Sequence, residues 1–79
     1  MFNYTICYGF SDEYFKRTCK ALEERIPNIK KGRFCYDVDG AKAQDYEADG
    51  NHICVYNDVM TDVVRVEAEY DIELYLTQR

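Results

Sequence analysis

The chain has 79 residues and a formal net charge of −5 at pH 7, from 15 acidic and 10 basic residues. This length predicts one domain, spanning residues 1–79, with little volume for a deep active-site cavity. A hydrophobic content of 47% favours a folded chain over a disordered one, and no apolar run is long enough for a membrane-spanning helix. The amino-terminal residues lack a secretory signal pattern, so we expect a cytoplasmic protein.

The first two predicted elements are a strand and a helix. Apolar and polar residues alternate from Phe2 to Phe10, which predicts a half-buried strand. Ser11 is a typical helix N-cap and is followed by two acidic residues, which the helix dipole favours in a first turn. An apolar stripe at helical spacing follows and ends before Pro27, because proline cannot continue a helix. The stripe consists of Phe15, Cys19, Leu22 and Ile26.

The middle of the chain predicts two further strands. Arg33–Val38 alternates and forms the second strand, and the polar stretch Asp39–Asp49 is either a loop or a weak edge strand. Asp49-Gly50-Asn51 is typical of a turn, and His52–Asn57 follows as a strand. Two alternatives exist for its core-facing pair: Ile53 with Val55, or Cys54 with Tyr56.

The carboxy-terminal segment has the longest alternation. Apolar and polar residues alternate from Val64 to Thr77 without a break. A single strand of about 14 residues would exceed the usual 3–10, so we expect it to be bent or bulged, or divided into two strands near Glu69 to Asp71. The order β-α-β-β-β predicts an α+β fold, in which one helix packs across one face of an antiparallel sheet of four or five strands.

Charge is segregated along the sequence. Residues 1–36 contain four acids and seven bases, a balance of +3, whereas residues 37–79 contain eleven acids and three bases, a balance of −8. The basic cluster consists of Lys16, Arg17, Lys20, Arg25, Lys30, Lys31 and Arg33. This cluster has two interpretations: contacts with nucleic-acid phosphates, or head-to-tail association with the acidic strand of a second copy.

Four acids in the last segment would form a row on one strand face. They are Glu67, Glu69, Asp71 and Glu73. Alternate residues of a strand lie about 6.6–6.8 Å apart, an interval of the same order as that between neighbouring nucleic-acid phosphates. Such a face would fit a basic nucleic-acid-binding site on a partner, and its affinity would fall with salt. The alternative is an ordinary solvated face, since charges on strands oppose sheet-to-sheet aggregation.

Tyrosine is unusually common, with eight tyrosines and no tryptophan. Tyrosine is enriched at interfaces because its ring is apolar and its hydroxyl forms hydrogen bonds. Tyr46 lies between two acids and Tyr75 falls on the predicted acidic face, so each is a candidate contact residue or an ordinary surface residue. The predicted partner-binding residues are Asp45, Tyr46, Glu47, Asp49, Glu67, Glu69, Asp71, Glu73 and Tyr75.

No catalytic, cofactor or metal motif is present in the sequence. The single histidine, His52, is predicted to be structural. The four cysteines form no CxxC pair, and without an export signal they are predicted to be reduced and mostly buried. They are Cys7, Cys19, Cys35 and Cys54. We therefore expect no cofactor and no enzymatic activity.

In its acidic half the chain resembles the small proteins by which phages and mobile elements inhibit bacterial defences, including anti-CRISPR and DNA-mimic inhibitors. The residues that carry this resemblance are the row Glu67, Glu69, Asp71 and Glu73, with Asp45, Glu47 and Asp49. The resemblance implies a protein partner, a nuclease or surveillance complex whose basic nucleic-acid site is occluded. The basic first half departs from a wholly acidic mimic and leaves room for a mixed interface.

The sequence thus predicts a non-enzymatic inhibitor that binds a protein partner through its acidic face, with no nucleic acid on that face and no membrane. Two alternatives are a homodimeric structural or assembly subunit, and a small enzyme or metal-binding domain that uses Cys54, His52 and nearby acids.

Overall fold

The computed structural model describes residues 1–76, which form a five-stranded antiparallel sheet and two helices. The strands are β1 (Phe2–Tyr8), β2 (Ile29–Tyr36), β3 (Lys42–Ala48), β4 (Asn51–Asp58) and β5 (Val63–Ala68), and the helices are α1 (Asp12–Arg25) and α2 (Glu73–Leu76). The strand order β1-β5-β4-β3-β2 puts β1 and β2 at opposite edges. The predicted α+β fold, with a helix packed on one face of the sheet, is confirmed.

Helix α1 begins and ends where the sequence predicts. The Ser11 hydroxyl accepts a hydrogen bond from the Tyr14 N–H at 3.2 Å, which satisfies one of the donors exposed at a helix start. The helix ends at Arg25, and Ile26 already has an extended backbone ahead of Pro27. Because α1 links the two edge strands, it crosses the whole sheet.

The core lies between α1 and one face of the sheet. Leu22 is fully buried in a core cluster that includes Val55 of the central strand β4 and Val66 of its neighbour β5. Ile53 and Val55 belong to this core cluster, whereas Cys54, although buried, does not; since side chains alternate between the faces of a strand, this settles the two alternatives for β4. The remaining core residues on the sheet include Tyr46, Ala48, Val64 and Ala68.

Strand β3 differs from the prediction of a loop or weak edge strand over Asp39–Asp49. It lies inside the sheet, hydrogen-bonded to β2 on one side and to β4 on the other. Its polar residues are compatible with this position because one of its faces is not covered by a helix. The turn that follows is confirmed: Asp49 and Gly50 have φ values of 52° and 82°, as a two-residue hairpin turn of type I′ requires.

Strand β2 begins earlier and ends earlier than the predicted Arg33–Val38. It runs from Ile29, which packs against the core, to Tyr36. Lys30 and Lys31 pair with residues of β3 although they are exposed. Long charged side chains are well suited to the exposed edge of a sheet.

The carboxy-terminal segment is not a long strand. Strand β5 ends at Ala68, and Glu73–Leu76 forms the short helix α2. The division near Glu69 to Asp71 is where the sequence places it, but the second part is a helix and not a strand. An Asp71 side-chain oxygen accepts a hydrogen bond from the Glu73 N–H at 3.0 Å and so starts the helix. Thr77 lies outside the described residues.

A hydrogen-bonded tyrosine fastens this segment to the first strand. The Tyr4 hydroxyl donates to Asp71 Oδ1 at 2.7 Å and accepts from the N–H of the buried Ile72 at 3.0 Å. Burial, followed by the bond to Asp71, raises the pKa of Tyr4. The hydroxyl therefore stays protonated at neutral pH. It joins Tyr4 to two residues that lie 67 and 68 positions further along the sequence.

Tyr4→Phe should lower the free energy of unfolding by about 1 kcal/mol, because the N–H of Ile72 loses its acceptor. Tyr8→Phe is the matched control on the same strand, since Tyr8 is 85% exposed, and it should leave stability unchanged. Urea unfolding followed by circular dichroism measures both. Equal stabilities for the two variants would contradict this role of Tyr4.

A second polar junction fixes the start of α1 over the sheet. The fully buried Asn57 donates to Asp12 Oδ1 at 2.9 Å and accepts from the Ser11 N–H at 3.2 Å. Lys42 Nζ lies 2.9 Å from the same Asp12 oxygen. The hydrogen bond from Lys42 is the largest cause of the lowered pKa of Asp12. The carboxylate form of Asp12 is thus favoured by folding.

Lys42→Met should cost about 0.5–1 kcal/mol of stability at pH 7, where the pair is ionised. Because the pKa of Asp12 is lower in the folded chain, this contribution exists above the unfolded pKa of about 4 and is lost as the pH falls through the folded value. The gap between wild type and variant should therefore close between pH 5 and pH 2.5 in urea titrations. Lys20→Met, at an exposed lysine that forms no ion pair within residues 1–76, serves as the control with no such gap. A gap that persists at low pH would refute the pairing.

Candidate protein-interaction surface

One face of the sheet is covered by α1 and α2, whereas no element within residues 1–76 covers the other. We call this second surface the open face. Its centre is formed by the side chains of β3, β4 and β5 that alternate with the core residues, and Lys30 of β2 lies at its edge, opposite Glu47. Its central residues are Asp45, Glu47, His52, Cys54, Tyr56, Asp58, Arg65 and Glu67.

The acids of the open face form a patch across several strands. Glu67 pairs with Cys54, and Cys54 pairs with Asp45, so Glu67 and Asp45 lie two strands apart. Strand spacing makes this about 9–10 Å between backbones, and Glu47 follows Asp45 by about 6.6–6.8 Å along β3. The result is a two-dimensional array of carboxylates in place of a single row.

Arg65 neutralises one side of this patch. Its guanidinium lies 4.1 Å from the centroid of the Tyr56 ring and donates to Glu67 Oε2 at 2.6 Å. It also lies 3.9 Å from Asp58 Oδ2. Burial acts to raise the pKa of Asp58, but hydrogen bonds from Thr61 and Met60, with the charge of Arg65, outweigh it and lower that pKa. The carboxylates of Glu67 and Asp58 are therefore both held in fixed positions.

The other side of the patch keeps its negative charge. Asp45 Oδ1 lies 3.5 Å from His52 Nε2, a contact that becomes an ion pair only when the histidine is protonated. Glu47 accepts a hydrogen bond from the Gly50 N–H at 3.2 Å. Neither acid forms an ion pair with a lysine or arginine among residues 1–76, although Lys30 of β2 is the register partner of Glu47. Both can therefore still attract a positively charged ligand.

The Cys54 thiol, which lies between these acids, is unreactive at neutral pH. Cys54 is 3% exposed, and burial, with the nearby Asp45 and Glu67 carboxylates, raises its pKa to about 12. The hydrogen bond between Cys54 and Tyr56, followed by the burial of Tyr56, likewise raises the pKa of Tyr56. A thiol is nucleophilic as the thiolate, so Cys54 is not activated at neutral pH. Within residues 1–76, no group of three or more histidine, cysteine, aspartate and glutamate side chains is arranged to hold a metal ion.

Alkylation tests this difference between the cysteines. In the folded protein at pH 8, iodoacetamide should modify the exposed Cys35 within minutes and leave Cys54 unmodified over the same period. In urea, both should react, because unfolding removes the burial that raises the pKa of Cys54. Mass spectrometry of tryptic peptides measures the extent at each site. Equal native rates for Cys35 and Cys54 would contradict the assignment.

The structure brings together only part of the predicted binding site. Asp45, Glu47 and Glu67 share the open face. Asp49 and Glu69 lie at its margin: Asp49 accepts from the Asn28 side chain at 3.3 Å, and the Glu69 carboxylate accepts from the His52 N–H. The sequence analysis did not include Asp58 and Arg65, although the alternation from His52 to Asp58 places Asp58 on the same face as Tyr56.

Four predicted contact residues lie elsewhere. Tyr46 is 1% exposed, because the alternation of β3 directs it towards α1, where its hydroxyl donates to Glu23 at 2.5 Å. Asp71 and Glu73 do not continue a row with Glu67, because β5 ends at Ala68. Tyr75 is half-buried against the core, and its carbonyl accepts from Arg25 Nη1 at 2.8 Å. The evenly spaced acidic row is therefore wrong.

Comparison of the chain with protein-family models, with curated proteins and with solved structures gives no match. Of the helices in residues 1–76, neither has the length and apolarity that crossing a bilayer demands.

Proposed function

We propose that this chain is a non-enzymatic binding protein whose open face contacts a basic surface on a protein partner. The observation that carries the proposal is the position of Asp45 and Glu47. Both lie on an uncovered sheet face, and neither forms an ion pair with a lysine or arginine of residues 1–76. A rigid strand presents them, so little conformational freedom is lost when they bind.

The preferred partner is a protein that itself binds nucleic acid. Such a protein has a basic site built to accept phosphates, and carboxylates spaced along and across β-strands present a similar density of negative charge. Binding would exclude nucleic acid from the site by occupying it and by competing for the same cations. The chain would then act as an inhibitor, in keeping with its resemblance to small anti-defence proteins.

Two of the four thiols, those of Cys19 and Cys54, favour binding over catalysis, whereas Cys35 is exposed. Burial raises the pKa of Cys19 as well as that of Cys54, which leaves both protonated at neutral pH. Tyr56, which neighbours Cys54 on the open face, has a raised pKa too. These groups favour a surface that is recognised by its shape and charge.

The test compares an isosteric pair of substitutions with a matched pair. Asp45→Asn/Glu47→Gln removes two charges from the open face, and Glu13→Gln/Glu24→Gln removes two from the exposed side of α1. Immobilised wild type should capture a nucleic-acid-binding protein from nuclease-treated bacterial lysate, and an added DNA oligonucleotide should release it. The open-face variant should retain at least about fivefold less, because it lacks the charges that the partner contacts.

Salt and folding provide the controls. Capture by wild type should fall steeply between about 0.1 M and 1 M NaCl, as the Debye length shortens from about 10 Å to 3 Å. The α1 variant should behave as wild type, and circular dichroism should show both variants folded. Equal capture by wild type and the open-face variant would contradict the proposal, and so would a failure of wild type to capture any nucleic-acid-binding protein.

A further inference from the structure

A groove on the other side of the molecule is basic. It lies between α1 and the edge strand β2 and has a volume of about 550 Å³. We call it the α1–β2 groove. Four lysines and two phenylalanines are prominent among its lining residues: Lys16, Lys20, Lys31, Lys42, Phe15 and Phe34.

Two of the four lysines have no ion-pair partner within residues 1–76. Lys31 lies 3.5 Å from Glu23, and Lys42 is paired with Asp12. Lys20 forms no ion pair there, and Lys16 contributes only a longer-range attraction to Asp12. Lys16 and Lys20 are one helical turn apart and therefore point the same way. Together they give the groove an excess of positive charge on its α1 side.

The opposite wall combines an apolar side chain with an edge strand. Phe34 is 51% exposed, so its ring is accessible to a ligand in the groove. Next to it the chain bulges between Lys31 and Phe34, and the buried Gln44 holds the bulge by donating to the Gly32 carbonyl at 3.1 Å. The bulge is tightly packed, since a Cβ atom on Gly32 would lie 3.3 Å from the Cβ of Asp45. The groove is thus preformed. Phe34 provides an apolar contact on its β2 side, and the lysines provide positive charge on its α1 side.

We propose that the α1–β2 groove binds an acidic, extended peptide segment of a partner protein. In an extended peptide, side chains alternate between two directions, so carboxylates can meet Lys16 and Lys20 while apolar residues meet Phe34. A groove between a helix and a strand admits one extended chain more readily than a flat sheet face. This site is independent of the open face and would give the protein a second, oppositely charged binding surface.

Two other occupants fit the charges less well. A second copy that paired its own β2 against β2 would bring the Lys30, Lys31 and Arg33 positions of both copies together, and like charges across a sheet are destabilising. A nucleic acid would extend beyond the groove into the field of a molecule with a net charge of −5. A short acidic peptide contacts the local cations alone.

The probe is a fluorescein-labelled decapeptide in which glutamate alternates with leucine and phenylalanine. Fluorescence anisotropy at about 0.15 M salt should detect its binding to the wild-type chain. Lys16→Glu/Lys20→Glu should weaken binding about tenfold or more, because two attractive contacts become repulsive. Phe34→Ala should also weaken binding, which tests the apolar contact without a change of charge. Circular dichroism checks that each variant is folded.

Matched controls separate the groove from the net charge. Arg17→Glu/Lys30→Glu changes the charge equally outside the groove and should stay within about twofold of wild type. Asp45→Asn/Glu47→Gln should bind the peptide as wild type does, which distinguishes this site from the proposed function. The inference is overturned if the peptide does not bind or if both charge-reversed pairs lose binding equally. Tighter binding of a single-stranded oligonucleotide at Lys16 and Lys20, or a dimer lost with these substitutions, would overturn it in favour of those occupants.

Discussion

The fold depends on one constraint: only one face of the sheet can be buried. The 14 residues of α1 supply the apolar stripe that covers five strands, and α2 adds four residues on the same side. Burying Leu22, Val55 and Val66 there is the main favourable term in folding. The other face must therefore be compatible with water, which permits the acids of β3, β4 and β5. The open face is in this sense a consequence of how little chain there is to cover it.

The same constraint converts charge segregation along the sequence into segregation in space. The basic half of the chain forms α1 and the edge strand β2, whereas the acidic half forms β3 to β5. Lys16 and Asp45 thus point to opposite sides of the sheet. The shortest principal extent of the molecule is 22 Å, while the Debye length at physiological salt is about 8 Å. Each surface therefore acts on a ligand with its own local charge and is little affected by the other.

Local signals in the sequence predicted most of the elements. Ser11 and Pro27 bracket α1, and Asp49-Gly50 forms the hairpin turn, because each depends on backbone geometry within a few residues. The interior position of β3 was not predictable in this way, since it depends on which strands pair and on the absence of cover over one face. The candidate site was predicted in part: the alternation of β3 indicated Asp45 and Glu47, but it also placed Tyr46 in the core.

The carboxy-terminal segment shows why periodicity alone misled. Ile72, Leu74 and Leu76 satisfy the period of two, yet Tyr75 and Leu76 lie three and four residues after Ile72, which is helical spacing. What decides between them is the hydroxyl of Tyr4, which meets Asp71 and Ile72 from the far end of the chain. That contact exists only after β1 has paired with β5, so no local pattern contains it.

The open face combines a fixed part with a part that can respond to a ligand. Arg65, stacked on Tyr56, holds the carboxylate of Glu67, so these side chains are already ordered and lose little entropy on binding. Asp45 and Glu47, two residues apart on β3, form no ion pair with a lysine or arginine of residues 1–76. A basic partner would gain attraction from the second pair without first having to break the ion pairs of Arg65. The α1–β2 groove, on the opposite side of the molecule, likewise contains paired and unpaired charges. Lys31 and Lys42 form ion pairs, while Lys16 and Lys20 can interact with a ligand. In both places the paired charges set the geometry and the others supply the attraction, which allows a chain of this size to present two rigid surfaces of opposite sign.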